Sequence, residues 1–180
     1  MSDAPDIKIV SYAEIDGQRN FSDTQIKALF QRYCDEGTME KTFCTGLTKT
    51  PDEFVLASKS STNVLHIVFY NGEPWGTWMM QDFAARRVWL HFAAYKKFFG
   101  TFKQVGTEYA KYLFSLRDSD GGPLFNVLLG AIPTTNRLAI KGIKSLGAKE
   151  SGVIPDYDIN YYTGKKFDAQ ILYMTRKDLC

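Results

Sequence analysis

The feature that narrows the fold most is a strand–helix–strand unit set among hairpins. Residues 87–95 read as a strand. Residues 101–116 place Val105, Tyr109, Tyr112, Leu113 and Leu116 on one helical face. Residues 125–131 are nearly all apolar, the pattern of a strand covered on both faces. A chain that leaves a sheet through a helix and returns as a parallel strand needs a right-handed crossover. Upstream, strands over 64–70 and 74–81 meet at Asn71-Gly72, a pair that tolerates the positive φ of a tight hairpin. A turn at Ala84-Ala85-Arg86 then leads into 87–95. The expectation is a mostly antiparallel sheet that becomes parallel across one helix.

The flanking segments fit one mixed α/β (α+β) domain over residues 1–180, with helices on both faces of the sheet and residues 1–6 as a frayed tail. Residues 7–12 are rich in β-branched side chains and read as a first strand. Ser22 or Asp23 caps a helix running to about Glu36, with Ile26, Leu29, Phe30 and Tyr33 on its apolar face and Gly37 as its stop. Residues 38–50 carry no clear period. Thr50-Pro51-Asp52-Glu53 opens a short capped helix. Residues 136–146 form a last helix through Ala139, Ile143 and Leu146, ended by Gly147. Strands near 149–153 and 168–175 close the chain around a loop containing Gly164.

Composition excludes several classes. With 44% hydrophobic and 14% aromatic residues among 180, the chain has ample material for a core. Three widely spaced cysteines and two histidines offer no metal-ligand spacing, so no metal site is expected. The thiols are read as reduced and the compartment as cytoplasmic. The polar, acidic start is unlike a signal peptide, and no apolar run nears the roughly 20 residues that span a bilayer, so no membrane partner is expected. Residues 1–90 hold 9 basic and 12 acidic side chains; residues 91–180 hold 13 and 8. A basic second half suits an anionic ligand such as a phosphorylated cofactor, and equally a solvated lysine-rich face. No Gly-x-Ser-x-Gly elbow or Walker loop occurs. Trp75, Trp78 and Trp89 read as core rather than as a base-stacking surface, so nucleic acid is not an expected partner.

Two places carry the chemistry. Lys96-Lys97-Phe98-Phe99-Gly100-Thr101-Phe102-Lys103 joins the third meander strand to its helix. Gly100 permits a sharp turn there, and free amides of the first helical turn make an anion site beside three lysines. The second place is Pro133-Thr134-Thr135-Asn136-Arg137-Leu138-Ala139, where a strand ends and Thr135 or Asn136 caps the start of a helix.

These two stretches resemble the GNAT acetyltransferase superfamily. Asn136-Arg137-Leu138-Ala139 with Leu146-Gly147-Ala148 is similar to its Asn-x-x-Ala helix ending in Leu-Gly-Phe. Lys97-Phe98-Phe99-Gly100-Thr101-Phe102 is similar to its Arg/Gln-x-x-Gly-x-Gly/Ala pyrophosphate loop. The resemblance covers roughly residues 55–178. It looks closest to short GNAT-like proteins of phages and prophages, through Trp89-Leu90-His91-Phe92 and Gly152-Val153-Ile154-Pro155.

The resemblance implies acetyl-CoA in a cleft where strands 87–95 and 125–131 splay apart. Main-chain groups of Phe92, Ala93 and Ala94 would bind the pantetheine and polarise the thioester. Lys97, Phe99, Gly100, Thr101, Phe102 and Lys103 would hold the pyrophosphate, and Asn136 would touch the pantetheine arm. An amine, on a small molecule or a protein, would attack the thioester directly. His91, with an intrinsic pKa near 6.5, is the candidate base; Glu73, Glu108, Tyr161 and Tyr162 are lesser ones. Tyr157–Tyr162 reads as a substrate wall or as loop packing. Phe102 stands where the family has a small residue, Ile143 where many members have an acid tyrosine, and Ala148 where the signature has phenylalanine. A non-catalytic virion component or host-protein binder on the same scaffold is therefore the second expected function.

Overall fold

The computed structural model describes residues 4–179. Among the described residues, seven strands form one sheet in the order β1-β4-β5-β6-β7-β9-β8. They are β1 (Ile7–Ser11), β4 (Val64–Tyr70), β5 (Glu73–Ala84), β6 (Arg87–Ala94), β7 (Val127–Pro133), β8 (Lys149–Ile159) and β9 (Lys166–Thr175). All neighbours are antiparallel except β6 and β7. The mixed sheet with a parallel pair is the expected fold class.

Two devices start the helices on the first face. Ser22 accepts from the Gln25 amide while the Gln25 side chain returns to Ser22, opening α1 (Asp23–Asp35). Thr50 and Glu53 do the same for α3 (Pro51–Lys59). Each such cap is worth about 1 kcal/mol. Ile26, Phe30 and Tyr33 of α1 are fully buried, as their spacing predicts. The Tyr33 hydroxyl reaches Thr77 on β5 at 3.1 Å. The next residue along β5, Trp78, stacks instead on Tyr109 of α4 (Phe102–Ser115) at 4.4 Å. Successive strand residues point to opposite faces. α1 and α4 therefore lie on opposite sides of the sheet.

The structure departs from the sequence reading in several places. Asp16-Gly17, both with positive φ, turn a small hairpin of β2 (Glu14–Ile15) and β3 (Gln18–Arg19). A short helix, α2 (Met39–Thr42), lies within the segment that showed no period. The run at 125–131 becomes β7, shifted to 127–133, and only Leu128 and Ile132 in it are buried. Its remaining residues are half-buried, and from Gly130 onward β7 has no partner on its β6 side. The last helix, α5, spans Arg137–Lys144, with Asn136 as its cap. β8 runs on to Ile159 through bulges at 150–152 and 154–158. Residues 1–3 of the expected tail lie outside the described residues. Asp6 is tied to the β4–β5 turn, its amide donating to Asn71 Oδ1 at 2.9 Å.

The helix start near Gly100 also differs. A 3-10 helix spans Lys96–Thr101 and runs straight into α4. The chain turns at Tyr95, whose backbone is extended, not at Gly100, which has no positive φ. Phe98 N–H donates to Tyr95 O, and Lys96 N–H donates to the Glu36 carboxylate at 2.7 Å. Glu36 thus caps the composite helix from the end of α1.

Candidate functional site

β6 and β7 pair through Arg87↔Val127, Val88↔Leu128 and Trp89↔Leu129, and no further. Beyond that point each strand keeps its outer partner. β6 stays on β5 to Gly76↔Ala94, and β7 stays on β9 to Pro133↔Ala169. The two strands are thus pulled apart by neighbours that diverge with the sheet's twist. Two facing strand edges, from Leu90 and from Gly130 onward, are left without each other. Main-chain donors and acceptors on such edges need partners.

A cavity of about 720 Å³ opens at this wedge. That volume is ordinary for a small-molecule or cofactor site. Its floor is Leu90–Ala94 and Gly130–Pro133, one end is α4 with α5, and the other is the segment around α2. A side chain at Gly130 would begin 3.8 Å from Leu90 O, and one at Gly100 would meet nothing within 4 Å. Backbone is therefore approachable at both glycines. Among the described residues, Trp78 Nε1, a buried donor on a residue lining the cavity, has no partner.

The structure places the expected site residues as follows. His91 lies on the α1 face of β6 and lines the cavity. Its Nε2 donates to the Thr42 carbonyl at 2.6 Å, and its ring stands 5.1 Å from Phe43. Burial holds its pKa below the usual imidazole value, offset in part by the Thr42 bond. Phe92 points to the α4 face, 5.0 Å from Trp78. The Ala93 carbonyl accepts the Tyr33 hydroxyl at 3.1 Å, and Ala94 pairs with Gly76. Phe99, Gly100, Phe102 and Lys103 line the cavity, with Phe99 and Gly100 exposed. Thr101 is engaged elsewhere, accepting from Trp75 Nε1 at 2.9 Å and donating to Phe98 O. Lys97 reaches Glu73 at 2.6 Å, and that ion pair lowers the Glu73 pKa. Glu108 pairs with Lys111. Tyr161 and Tyr162 are exposed on the β8–β9 loop.

Phe102 answers the question its size raises. Its ring packs within 5.1–6.2 Å of Phe92, Trp75 and Trp78. The far side meets Gly142 of α5, where even a Cβ would lie 3.0 Å from the ring. Phe102 is a wall of the cavity and part of the core, turned away from Gly100. Ile143 also lines the cavity.

Asn136 does two jobs. Its Oδ1 accepts from Ala139 N at 3.3 Å, capping α5, and its Nδ2 donates to Lys41 O at 3.3 Å. Sequence reasoning finds the cap but misses the second contact. It also misses Thr42, Asn160 and Gly142, whose partners lie far away in the chain.

No protein-family model matches the chain, and no curated protein matches it in sequence. Solved structures do match. A spermidine N-acetyltransferase from Vibrio cholerae, in complex with CoA and spermine, superposes with a TM-score of 0.72 at 9% identity, covering 96% of each chain. An acetyltransferase from Salmonella typhimurium that modifies the N-terminal serine of a 50S ribosomal subunit protein gives 0.70 at 9% identity over 94% of each chain. A GNAT-family acetyltransferase from Streptococcus pneumoniae gives 0.62 at 14% identity, covering 94% of this chain and 99% of that one. At such identities the likeness concerns architecture. The chain has the GNAT fold.

Proposed function

We propose that this protein is an acetyl-CoA-dependent N-acyltransferase acting on an amine. The observation that carries the reading is the wedge between β6 and β7, open from Leu90 and Gly130 onward beside a 720 Å³ cavity. Bound acetyl-CoA supplies an acyl group activated as a thioester. The open strand edges offer main-chain donors and acceptors to its amide-bearing arm, as an added strand would receive them. Phe92 and Ala94 supply that edge, and a backbone N–H there polarises the acyl carbonyl, whereas the Ala93 carbonyl faces β5 and the Tyr33 hydroxyl. Gly100 lets phosphate approach the composite helix. Lys96 and Lys103 line the cavity at that end, and Phe99 and Thr101 hold the helix start. Lys97 stands beside that end, its charge balanced by Glu73. Asn136 stands at the mouth on the α5 side.

His91 takes the proton of the attacking amine. Its Nε2–H is held by Thr42 O, so the neutral ring carries its lone pair on Nδ1. A depressed pKa keeps that nitrogen free at neutral pH. The acceptor is an amine of a small molecule or a protein, and the compartment of action is the cytoplasm. No helix among the described residues is long and apolar enough to cross a membrane. Kinship with phage-encoded proteins rests on the sequence motifs alone.

A second reading is a non-catalytic binding protein on this scaffold. One observation favours it: Glu36 sets a carboxylate on Lys96 N–H, at the end of the helix where phosphate would approach. Thermal denaturation separates the two. Acetyl-CoA at 100 times its Kd should stabilise the fold by about 2.7 kcal/mol. An unchanged Tm at millimolar acetyl-CoA would favour the second reading.

A further inference from the structure

The segment from Gly37 to Gly46 crosses the cavity opposite the α4–α5 end, and its main-chain carbonyls are held from outside. Glu40 O accepts from Asn160 Nδ2 at 3.2 Å, Lys41 O from Asn136 Nδ2 at 3.3 Å, and Thr42 O from His91 Nε2 at 2.6 Å. Cys44 O accepts from the Tyr161 amide at 2.7 Å. The donors come from three separate places: β6, the turn after β7, and the β8–β9 loop. They stand on both sides of the wedge, so the segment is strapped across it.

Local structure suits a strap. Gly37 (φ +62) and Gly46 (φ +69) bound it in conformations that side chains disfavour. A Cβ at Gly46 would fall 2.6 Å from Tyr161, so the β8–β9 loop sits directly on that end. Met39, Phe43 and Cys44 are buried, and Phe43 packs 5.0 Å from Phe30 of α1. The strap is thus bolted to the core on its β6 side. On its β7 side the ties are the two asparagines and the Tyr161 amide.

A carbonyl oxygen only accepts. Wherever the Thr42–His91 bond exists, the His91 proton is on Nε2, and a neutral ring has its lone pair on Nδ1. Without that bond the two tautomers compete freely. We propose that the strap is a positioning device: Asn136 and Asn160 latch it across the acceptor side of the cleft, and Thr42 O, so fixed, sets the tautomer of His91. That Nδ1 then serves as base rests on the acyl-transfer reading; the latch itself does not.

Two substitutions remove the latch while keeping other bonds. Asn136→Asp retains an oxygen to cap α5, and Asn160→Asp retains the oxygen that accepts from Tyr162 and Thr163 amides. Both lose the N–H donated to the strap. The test is a long-range ¹H–¹⁵N correlation spectrum of the imidazoles in the full chain at neutral pH. The ring of His66 is assigned with His66→Gln. Wild type should show His91 as one Nε2–H tautomer. The double aspartate variant should show averaged nitrogens, with amide exchange at residues 42–46 at least about tenfold faster. An Nδ1–H ring in wild type, or a variant with unaltered tautomer and exchange, would overturn the proposal. The spectrum needs no cofactor. Failure of the acyl-transfer reading shows instead as a Tm indifferent to acetyl-CoA.

Discussion

Phe102 occupies a place where a bulky ring looks obstructive, and Gly142 is the reason it is not. The ring enters an aromatic cluster with Trp75, Trp78 and Phe92 because the facing helix has no side chain there. Phe102→Ala should therefore cost about 2 kcal/mol in urea denaturation, below the roughly 3 kcal/mol for deleting a fully buried ring because Phe102 is half-buried. A variant of wild-type stability would mean that the ring is not core. Gly130 is the opposite case. Its Cβ position touches only Leu90 O, at 3.8 Å, so Gly130→Ala should fold normally. Gly130→Phe should fill the wedge and abolish the acetyl-CoA-induced shift in Tm. His91 was legible as a histidine on a strand. What it does was not, because Thr42 lies 49 residues away and its segment has no periodicity to announce a helix.

At the scale of elements, α4 and α5 meet through two glycine holes. Phe102 of α4 fills the hole at Gly142, and Leu146, just after α5, fills the one at Gly106 of α4. Helix propensity alone would make Gly106→Ala stabilising by about 1 kcal/mol. The new methyl would lie 2.7 Å from Leu146 Cδ1 and 3.1 Å from Cδ2, so packing reverses the sign. Gly106→Ala should destabilise wild type yet stabilise a Leu146→Ala background, a coupling that a double-mutant cycle in urea measures directly. Equal effects in both backgrounds would refute the contact. Caps and hairpins, being local, could be read from sequence: Ser22, Thr50, Asn71-Gly72 and Asn136 all do what their chemistry predicts. Asp16-Gly17 carries the same hairpin signal, but the strands it joins are only two residues long each, too short to show a period. The helix start at Lys96 was hidden, because Glu36 caps it from another element. The length of β8 was hidden by bulges at its glycine and proline.

Over the whole molecule, the sheet holds a buried histidine, His66, that links stability to pH. His66 Nδ1 and the Tyr109 hydroxyl lie 2.7 Å apart, and burial holds the His66 pKa at about 4 against 6.5 for a free imidazole. Above pH 6.5 the ring is neutral folded or unfolded, and contributes nothing. Below it the unfolded chain gains a proton that the folded chain refuses until about pH 4, so stability falls across that window. His66 alone accounts for about 3 kcal/mol of the loss, and His91 acts in the same direction. Urea midpoints at pH 7.5 and 4.5 should diverge in wild type and draw together in His66→Gln, whose side-chain amide can accept from or donate to the Tyr109 hydroxyl. The meander of β4, β5 and β6 and the crossover to β7 were legible, because hairpin and helix signals dictate them; the insertion of β9 between β7 and β8 was not. The wedge was legible only through the family resemblance: it depends on how β5 and β9 pull on β6 and β7, which no local pattern encodes.

That wedge is what the functional reading stands on, and amide hydrogen exchange with and without acetyl-CoA tests it most directly. Binding should slow exchange along residues 90–94 and 130–132, together with residues 99–103, and leave β1 and β4 unaffected. Protection confined to other surfaces, or none at saturating acetyl-CoA, would contradict an acyl-CoA site between β6 and β7.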